Sequence, residues 1–270
     1  MSTKIHPTAV IDSKAQLDEN VEIGPYAVIG EDVQIGSGTK IGPHCIIEFS
    51  TLGKDNWLTG AAYVGMPPQD WSYKGEHTRF TMGDGNVIRE GVSLHRGSHA
   101  TNLTSMGSNC MLMANSHVGH DCRLGNNVIM VNSSAAAGHV QIGDRATISG
   151  LVGIHQFTRI GKFAMISGGG MANQDIIPYV IAQGDRARPV TLNLVGLKRN
   201  GFTRETIKII KHTFKTLFYC GMTMKDAIAT LRAENLPPEA ALILDFCEAS
   251  KRGVARPRRT IREMETADND

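Results

Sequence analysis

The chain has 270 residues, 41% of them apolar, which is enough to bury a sizeable core and excludes disorder throughout. No stretch of about 18 consecutive apolar residues occurs, and nothing apolar follows Met1-Ser2-Thr3-Lys4-Ile5-His6-Pro7, so neither a membrane-spanning helix nor a signal peptide is expected. Net charge is only +2, but residues 186–262 carry 16 Lys+Arg against 6 Asp+Glu while residues 1–185 carry 12 against 16, so the C-terminal part is a basic pole suited to an anionic partner: nucleic acid, an acidic protein or a phosphate ligand.

From the N-terminus onward, aliphatic residues recur every six positions at Ile5, Ile11, Leu17, Ile23, Ile29, Ile35, Ile41 and Ile47. After one five-residue step the beat resumes at Leu52, Leu58 and Val64, continues through Met82, Ile88 and Leu94, and runs from Met106 to Ile166. A period of six fits neither a 3.6-residue helix nor long alternating strands; it fits short strands that turn every six residues and stack on the next coil. Glycine often follows the aliphatic residue, as at Gly24, Gly30, Gly36, Gly42, Gly125, Gly143 and Gly161, as expected where a bulky side chain would obstruct a corner. The pattern is identified as the hexapeptide repeat of the left-handed parallel β-helix, in which three hexads make one triangular coil and residues 18 apart stack; the left hand comes from that family, since the general crossover rule favours the right. The fold expected is therefore a β-solenoid over residues 1–185, followed by a helical domain over 186–270.

Two stretches lose the apolar beat without losing its count, within Gly65 to Arg79 and within Arg96 to Ser105, and are read as loops leaving the prism. Past Met171 the hexads stop. Thr203 can cap a helix carrying Ile207, Ile210, Phe214, Leu217 and Phe218 and ending at Gly221; Thr223 can cap a second, through Leu231, before Pro237-Pro238; a third covers Glu239 to Ser250, and Gly253 to Asp270 reads as a frayed polar tail. The five cysteines, Cys45, Cys110, Cys122, Cys220 and Cys247, are odd in number and never spaced as CxxC, which argues against a disulfide framework or cysteine zinc site and for a cytoplasmic location.

Stacking at 18 residues brings His120 near positions 138 and 156, where the sequence has His139 and His155 each one residue off, so three histidines line one edge; His117 belongs to the same coil, and His95 falls elsewhere unless the loop after it shifts the register. Such a row could ligate a metal, serve as general base and substrate contacts in acyl transfer, or be ordinary surface histidines. Acyl transfer is favoured at His120 because Asp121 follows at once and can orient the imidazole. Nucleophilic chemistry has little support: there is no GxSxG, and Asp121 would raise the pKa of the adjacent Cys122.

The segment Asn115-Ser116-His117-Val118-Gly119-His120-Asp121-Cys122 resembles the active-site segment of the UDP-N-acetylglucosamine O-acyltransferases. Similar stretches include Pro68-Gln69-Asp70, Leu94-His95-Arg96-Gly97, Ala137-Gly138-His139-Val140, Ile154-His155-Gln156-Phe157, Pro178 to Gly184 and Gly196-Leu197-Lys198-Arg199, so the resemblance spans roughly residues 5 to 232. It implies transfer of a 3-hydroxyacyl chain from acyl carrier protein to the 3-hydroxyl of UDP-N-acetylglucosamine in lipid A synthesis. It further implies His120 as general base, Asp121 as its orienting partner and the Gly138 N–H as oxyanion donor. Asp70, His95, His117, His139, His155 and Gln156 would contact substrate, Asn193 and Arg199 would hold uridine and phosphate, and Gly168 would set acyl length. Homotrimers with sites between subunits, the basic helices receiving the carrier protein, no metal, no cofactor, no nucleic-acid partner and no stable membrane insertion are implied as well.

Three positions depart from the family pattern: Ser72 replaces a catalytically important lysine, Asn200 a second phosphate-binding arginine and Val195 an acidic uridine contact. By the resemblance all three would touch the sugar-nucleotide side, so the chemistry is expected to survive while the choice of acceptor can differ. Two alternatives are a paralogue acting on a 3-amino nucleotide sugar and a silent scaffold binding acyl carrier protein. A metal-dependent hydratase on the same solenoid is the rival enzyme class, and the related N-acyltransferase, with an additional N-terminal domain, fits less well.

Overall fold

A computed structural model describes residues 3–258. It is a left-handed parallel β-helix of short strands in three sheets of eleven, nine and eight strands, the three faces of a prism. In the first sheet Lys4 lies opposite Glu22 and Glu22 opposite Lys40, the expected 18-residue coil. The five-residue step shortens the next coil to 17, with Lys40 opposite Trp57. The next two coils are longer: Trp57 pairs with Val87 and Val87 with Met111, twelve and six residues more than a regular coil, after which 18 returns. Those excesses are the two loops, residues 67–78 and 96–102, both where the beat is lost.

Each hexad carries two inward positions. The aliphatic residue is one; two residues before it sits a smaller one, including Ala27, Val33, Thr39, Cys45, Asn56, Asn86, Cys110, Ser116, Cys122 and Val128, all essentially inaccessible. Three of the five cysteines are thus interior packing groups, and burial pushes the Cys122 thiol up to about 12. Where this column is polar the outcome differs by position: Asn86 Nδ2 donates to Asn56 Oδ1 at 2.9 Å and the Cys110 N–H to Asn86 Oδ1 at 2.8 Å, whereas the buried hydroxyls of Ser116, Ser134 and Thr158 find no partner among the described residues.

The corners work differently from the sequence expectation. The residue with left-handed φ comes two positions after the recurrent glycine and is seldom glycine itself: Tyr26, Asp32, His44, Asn127 and Arg145. The recurrent glycine answers instead to stacking, because a Cβ on Gly36 would lie 2.6 Å from the Gly53 backbone one coil on.

The two loops are tied down at their bases. Arg96 donates to the Gly65 carbonyl at 2.6 Å and to the Tyr73 hydroxyl at 3.1 Å, and His95 Nδ1 donates to the Pro67 carbonyl at 2.6 Å. At the C-terminal end, strand Val180–Gln183 joins the first sheet and turns back antiparallel as Arg188–Leu192, with Asp185 and Arg186 in the connection. Four helices follow: α1 (Leu194–Arg199), α2 (Arg204–Tyr219), α3 (Met224–Arg232) and α4 (Pro238–Glu248). Thr203 and Thr223 cap α2 and α3 through the N–H groups of Thr206 and Asp226, as expected, whereas α1 is an addition. The segment expected to fray is ordered at its start: Asp175 and Val254 form a bridge, the Asp175 N–H donates to the Gly253 carbonyl at 2.9 Å, and Ala255 is buried. The remainder of that tail, from residue 259, lies outside the described residues. No helix among the described residues is long and apolar enough to cross a membrane.

Candidate active site

The corner after strand His117–Val118 carries Gly119, His120 and Asp121, with Asp121 in the left-handed conformation. Its backbone N–H donates to Thr104 Oγ1 at 2.7 Å, which fixes the corner from the coil below. The carboxylate turns inward and is fully enclosed. It accepts hydrogen bonds from the Ser98 hydroxyl at 2.7 Å, the Ser98 N–H at 3.1 Å, the Thr101 hydroxyl and His120 Nδ1 at 2.7 Å. Burial alone would raise this carboxyl, but the bonds from His120, Thr101 and Ser98 outweigh it and hold Asp121 below the usual carboxylate range. An ionised carboxylate only accepts, so His120 carries its proton on Nδ1 and leaves the Nε2 lone pair free in the neutral ring. No hydrogen-bond partner of Nε2 is found among the described residues.

That lone pair lies over Gly138: a Cβ there would sit 2.6 Å from both Nε2 and Cε1. The missing side chain is what admits the imidazole. The Gly138 N–H donates to no acceptor among the described residues. The arrangement places an imidazole able to take up a proton beside a backbone donor able to receive a developing oxyanion.

The histidines do line one edge, but not as a single column. His155, His120 and His139 occupy three consecutive columns around the corner, since Asp121 stacks below His139 and Phe157, as successive N–H to carbonyl bonds record. His120 and His139 still meet edge to face at 5.2 Å, and His139 stacks on Phe157 at 4.4 Å. Burial lowers the His139 pKa, and His120 adds to this against the pull of Asp121 and Asp70. His95 joins the site because the six extra residues after it shift the register: its ring meets His117 at 5.0 Å. Burial holds His117 down at about 4 and lowers His95 also, so both act as neutral hydrogen-bonding groups.

A groove of about 590 Å³ runs along this edge, lined by His117, His120, Gly138, His155 and Gln156, with Gln69 from the first loop and Arg186 at the far end. Asp70 stands beside it, its carboxylate accepting from the Ser72 N–H at 2.9 Å and held below its ordinary range by the bonds from Ser72, with His120 adding a smaller pull. His139 lines an adjoining cavity of about 710 Å³ with Asp121, Phe157 and Arg252, and three further expected residues are brought to neither space within one chain. Asn193 is the N-cap of α1, accepting from the Gly196 N–H and donating to the Phe163 carbonyl. Arg199 lies in the last turn of α1, and Gly168 lines a separate cavity with Arg188 and Tyr219. Sequence reasoning missed Ser98, Thr101, Thr104 and Gln69; the one signal was the polar run Ser98-His99-Ala100-Thr101-Asn102 within an interrupted hexad.

His120, Asp121 and His139 also offer ligand atoms within 4.8 Å of one another, the only such group among the described residues. They do not fit a metal as they stand, because Asp121 Oδ2 is bonded directly to His120 Nδ1 at 2.7 Å and the carboxylate is already saturated by donors.

Residues 175–255 match the family model described as UDP N-acetylglucosamine O-acyltransferase, domain 2, and residues 14–49 and 104–135 match the bacterial transferase hexapeptide repeat. A Myxococcus xanthus protein named acyl-(acyl-carrier-protein)–UDP-N-acetylglucosamine O-acyltransferase is 48% identical over 94% of this chain and 99% of its own length. A Burkholderia orbicola protein of the same name is 45% identical over 94% of this chain and all of its own. The solved enzyme from Acinetobacter baumannii superposes with a TM-score of 0.91 at 40% identity, covering 93% of this chain and 99% of that one. Identity at this level over nearly the whole of both chains means that the protein belongs to the family of the acyl-(acyl-carrier-protein)–UDP-N-acetylglucosamine O-acyltransferases.

Proposed function

We propose that the chain transfers a 3-hydroxyacyl group from acyl carrier protein to the 3-hydroxyl of UDP-N-acetylglucosamine, the first step of lipid A synthesis. The observation that carries the mechanism is the Asp121–His120 pair aimed at Gly138. His120 Nε2 takes the sugar hydroxyl proton as that oxygen attacks the thioester carbonyl, and Asp121 stabilises the imidazolium. The Gly138 N–H holds the oxyanion, and the departing carrier thiolate recovers the proton from His120. General-base catalysis of this kind contributes about 10²–10⁴-fold. Gln69, Asp70, His95, His117, His139, His155 and Gln156 surround the acceptor and the acyl arm.

Asn193, Arg199 and Gly168 fit this reading in a homotrimer, where a second chain completes each site. The outward positions of the sheets support that assembly. Beyond its charged start at Lys4, Glu22 and Lys40, the first sheet presents Trp57, Val87, Met111, Ile129 and Met165 with Thr147 among them, whereas the third presents Gln34, Thr51, Thr81, Ser105, Arg123 and Gln141. An apolar face beside a polar one fits association through the first. Residues 1–185 would then carry the chemistry, and the basic helical region 186–270 would receive the acidic carrier protein in the cytoplasm. The test is acyl transfer from 3-hydroxyacyl carrier proteins to UDP-N-acetylglucosamine and its 3-amino analogue. Turnover that depends on His120 supports the reading, and preference for the amino acceptor would trace to Ser72, Val195 and Asn200. Carrier binding without turnover on either acceptor would overturn it in favour of a scaffold.

A further inference from the structure

Two histidines share the groove but have opposite partners. His120 Nδ1 faces a carboxylate, whereas His155 Nδ1 faces a guanidinium: Arg252 Nη2 lies 2.8 Å from it. Arginine donates and never accepts, so this contact requires an unprotonated Nδ1 on His155 and puts the ring proton on Nε2. Nδ1 also lies 3.2 Å from the Gln156 carbonyl, a contact that would need the opposite tautomer. The shorter, charge-assisted bond decides between them.

Arg252 is not a loose surface group. Its Nε donates to the Asn173 carbonyl at 2.8 Å, and the residues around it are stapled to the end of the solenoid: Ser250 Oγ donates to Asp175 Oδ2 at 2.8 Å, and the Ala255 N–H to the Asp175 carbonyl at 2.9 Å. Asp175 is completely buried and also accepts from the Arg159 N–H. The staple thus carries a guanidinium from beyond the last helix to the back of His155, on the side of the adjoining cavity.

We propose that Arg252 is a positioning residue that locks His155 as an Nε2–H donor, so that the groove holds one histidine built to accept a proton and one built to donate a hydrogen bond. Nε2 of His155 has no partner among the described residues, and its complement is an oxygen acceptor on the bound substrate, a carbonyl or a phosphate oxygen. The substrate side of this inference rests on the acyltransfer reading; the tautomer does not.

The test therefore has a spectroscopic arm and a kinetic arm. In protein labelled with [15N]histidine, long-range proton–nitrogen correlation at pH 8, with His155 assigned through His155→Gln, reads the tautomer directly. The native protein should show His155 as Nε2–H, Arg252→Met should convert it to Nδ1–H bonded to the Gln156 carbonyl, and Arg252→Lys should retain the native form. In the acyltransfer assay Arg252→Met should lower kcat/KM about ten-fold, with KM rising for whichever substrate carries the acceptor oxygen. Arg252→Lys should recover most of this loss, and Arg252→Met should add nothing to His155→Gln. An Nδ1–H signature in the native protein, a tautomer unmoved by Arg252→Met, or losses that multiply in the double variant would each overturn the proposal. Absence of turnover on either acceptor would sink the acyltransfer reading alone, since the nitrogen spectrum still decides the tautomer. Melting temperatures show whether Arg252→Met keeps its fold; if it does not, Arg252→Gln replaces it in both arms.

Discussion

Two successive coils turn the same corner with the same backbone, yet only one holds a poised imidazole. Gly119-His120-Asp121 and Ala137-Gly138-His139 are in register, and their third residues have φ of 61° and 63°. In the first coil that third residue is a carboxylate drawn inward by Ser98 and Thr101; in the second it is an imidazole turned outward onto Phe157. The difference comes from outside the corner. The loop 96–102 adds donors beneath the first coil only, and the missing side chain of Gly138 opens the space that the His120 ring occupies. A repeat becomes a site by one insertion and one deletion of bulk, with the backbone unchanged.

If the His120 corner is special for that reason, His120→Ala should produce the largest loss, about 10³–10⁴-fold in kcat, while His139→Ala should cost no more than about ten-fold; equal losses would erase the distinction between the coils. Next comes Asp121→Asn, with a loss of about 10²–10³-fold, because an amide facing Nδ1 no longer favours the tautomer with a free Nε2. Steady-state rates at saturating substrate would measure both.

Gly138→Ala sharpens the claim about bulk. Its Cβ would sit 2.6 Å from the His120 ring, so the imidazole must move, and kcat should fall about 10²-fold with little change in melting temperature. A fully active, stable Gly138→Ala protein would show that the ring does not need that space. Ser98→Ala tests the insertion and should cost about ten-fold, since it removes one hydroxyl donor and leaves the Ser98 N–H and Thr101 in place.

The smallest effect is on stability. Burial holds folded His117 at about 4, against 6.5 when exposed. Between those values the unfolded chain binds the extra proton, so stability declines as pH falls from about 6.5 towards 4. Buried His95 shifts the same way and should add to the slope. Melting temperature against pH should show this decline, and His117→Gln should flatten part of it; an unchanged slope would place the responsible groups elsewhere.

Legibility differed by kind of interaction. The aliphatic beat, the two loops and the caps Thr203 and Thr223 were readable, because each depends on a few neighbouring residues whose chemistry repeats or is distinctive. The second interior position was not: it accepts Ala, Val, Thr, Cys, Asn or Ser, so size is selected there without any hydropathy signal. The ordered start of the C-terminal tail was missed for a related reason, since its charged residues conceal the bridge from Val254 to Asp175.

At the site, His120, Asp121 and Gly138 could be picked out by chemistry and by resemblance, but not how they meet. A period of six determines that strands stack and that residues 18 apart come together, because each short strand can bury its aliphatic residue only against its neighbours. It does not determine which donors an irregular coil delivers. Ser98 and Thr101 reach Asp121, His95 reaches His117, and Arg252 reaches His155 across 97 residues, only after the loops and the C-terminal staple have closed. Proton positions on His120 and His155 follow from those long-range partners, a carboxylate for one and a guanidinium for the other, and so belong to the tertiary structure alone.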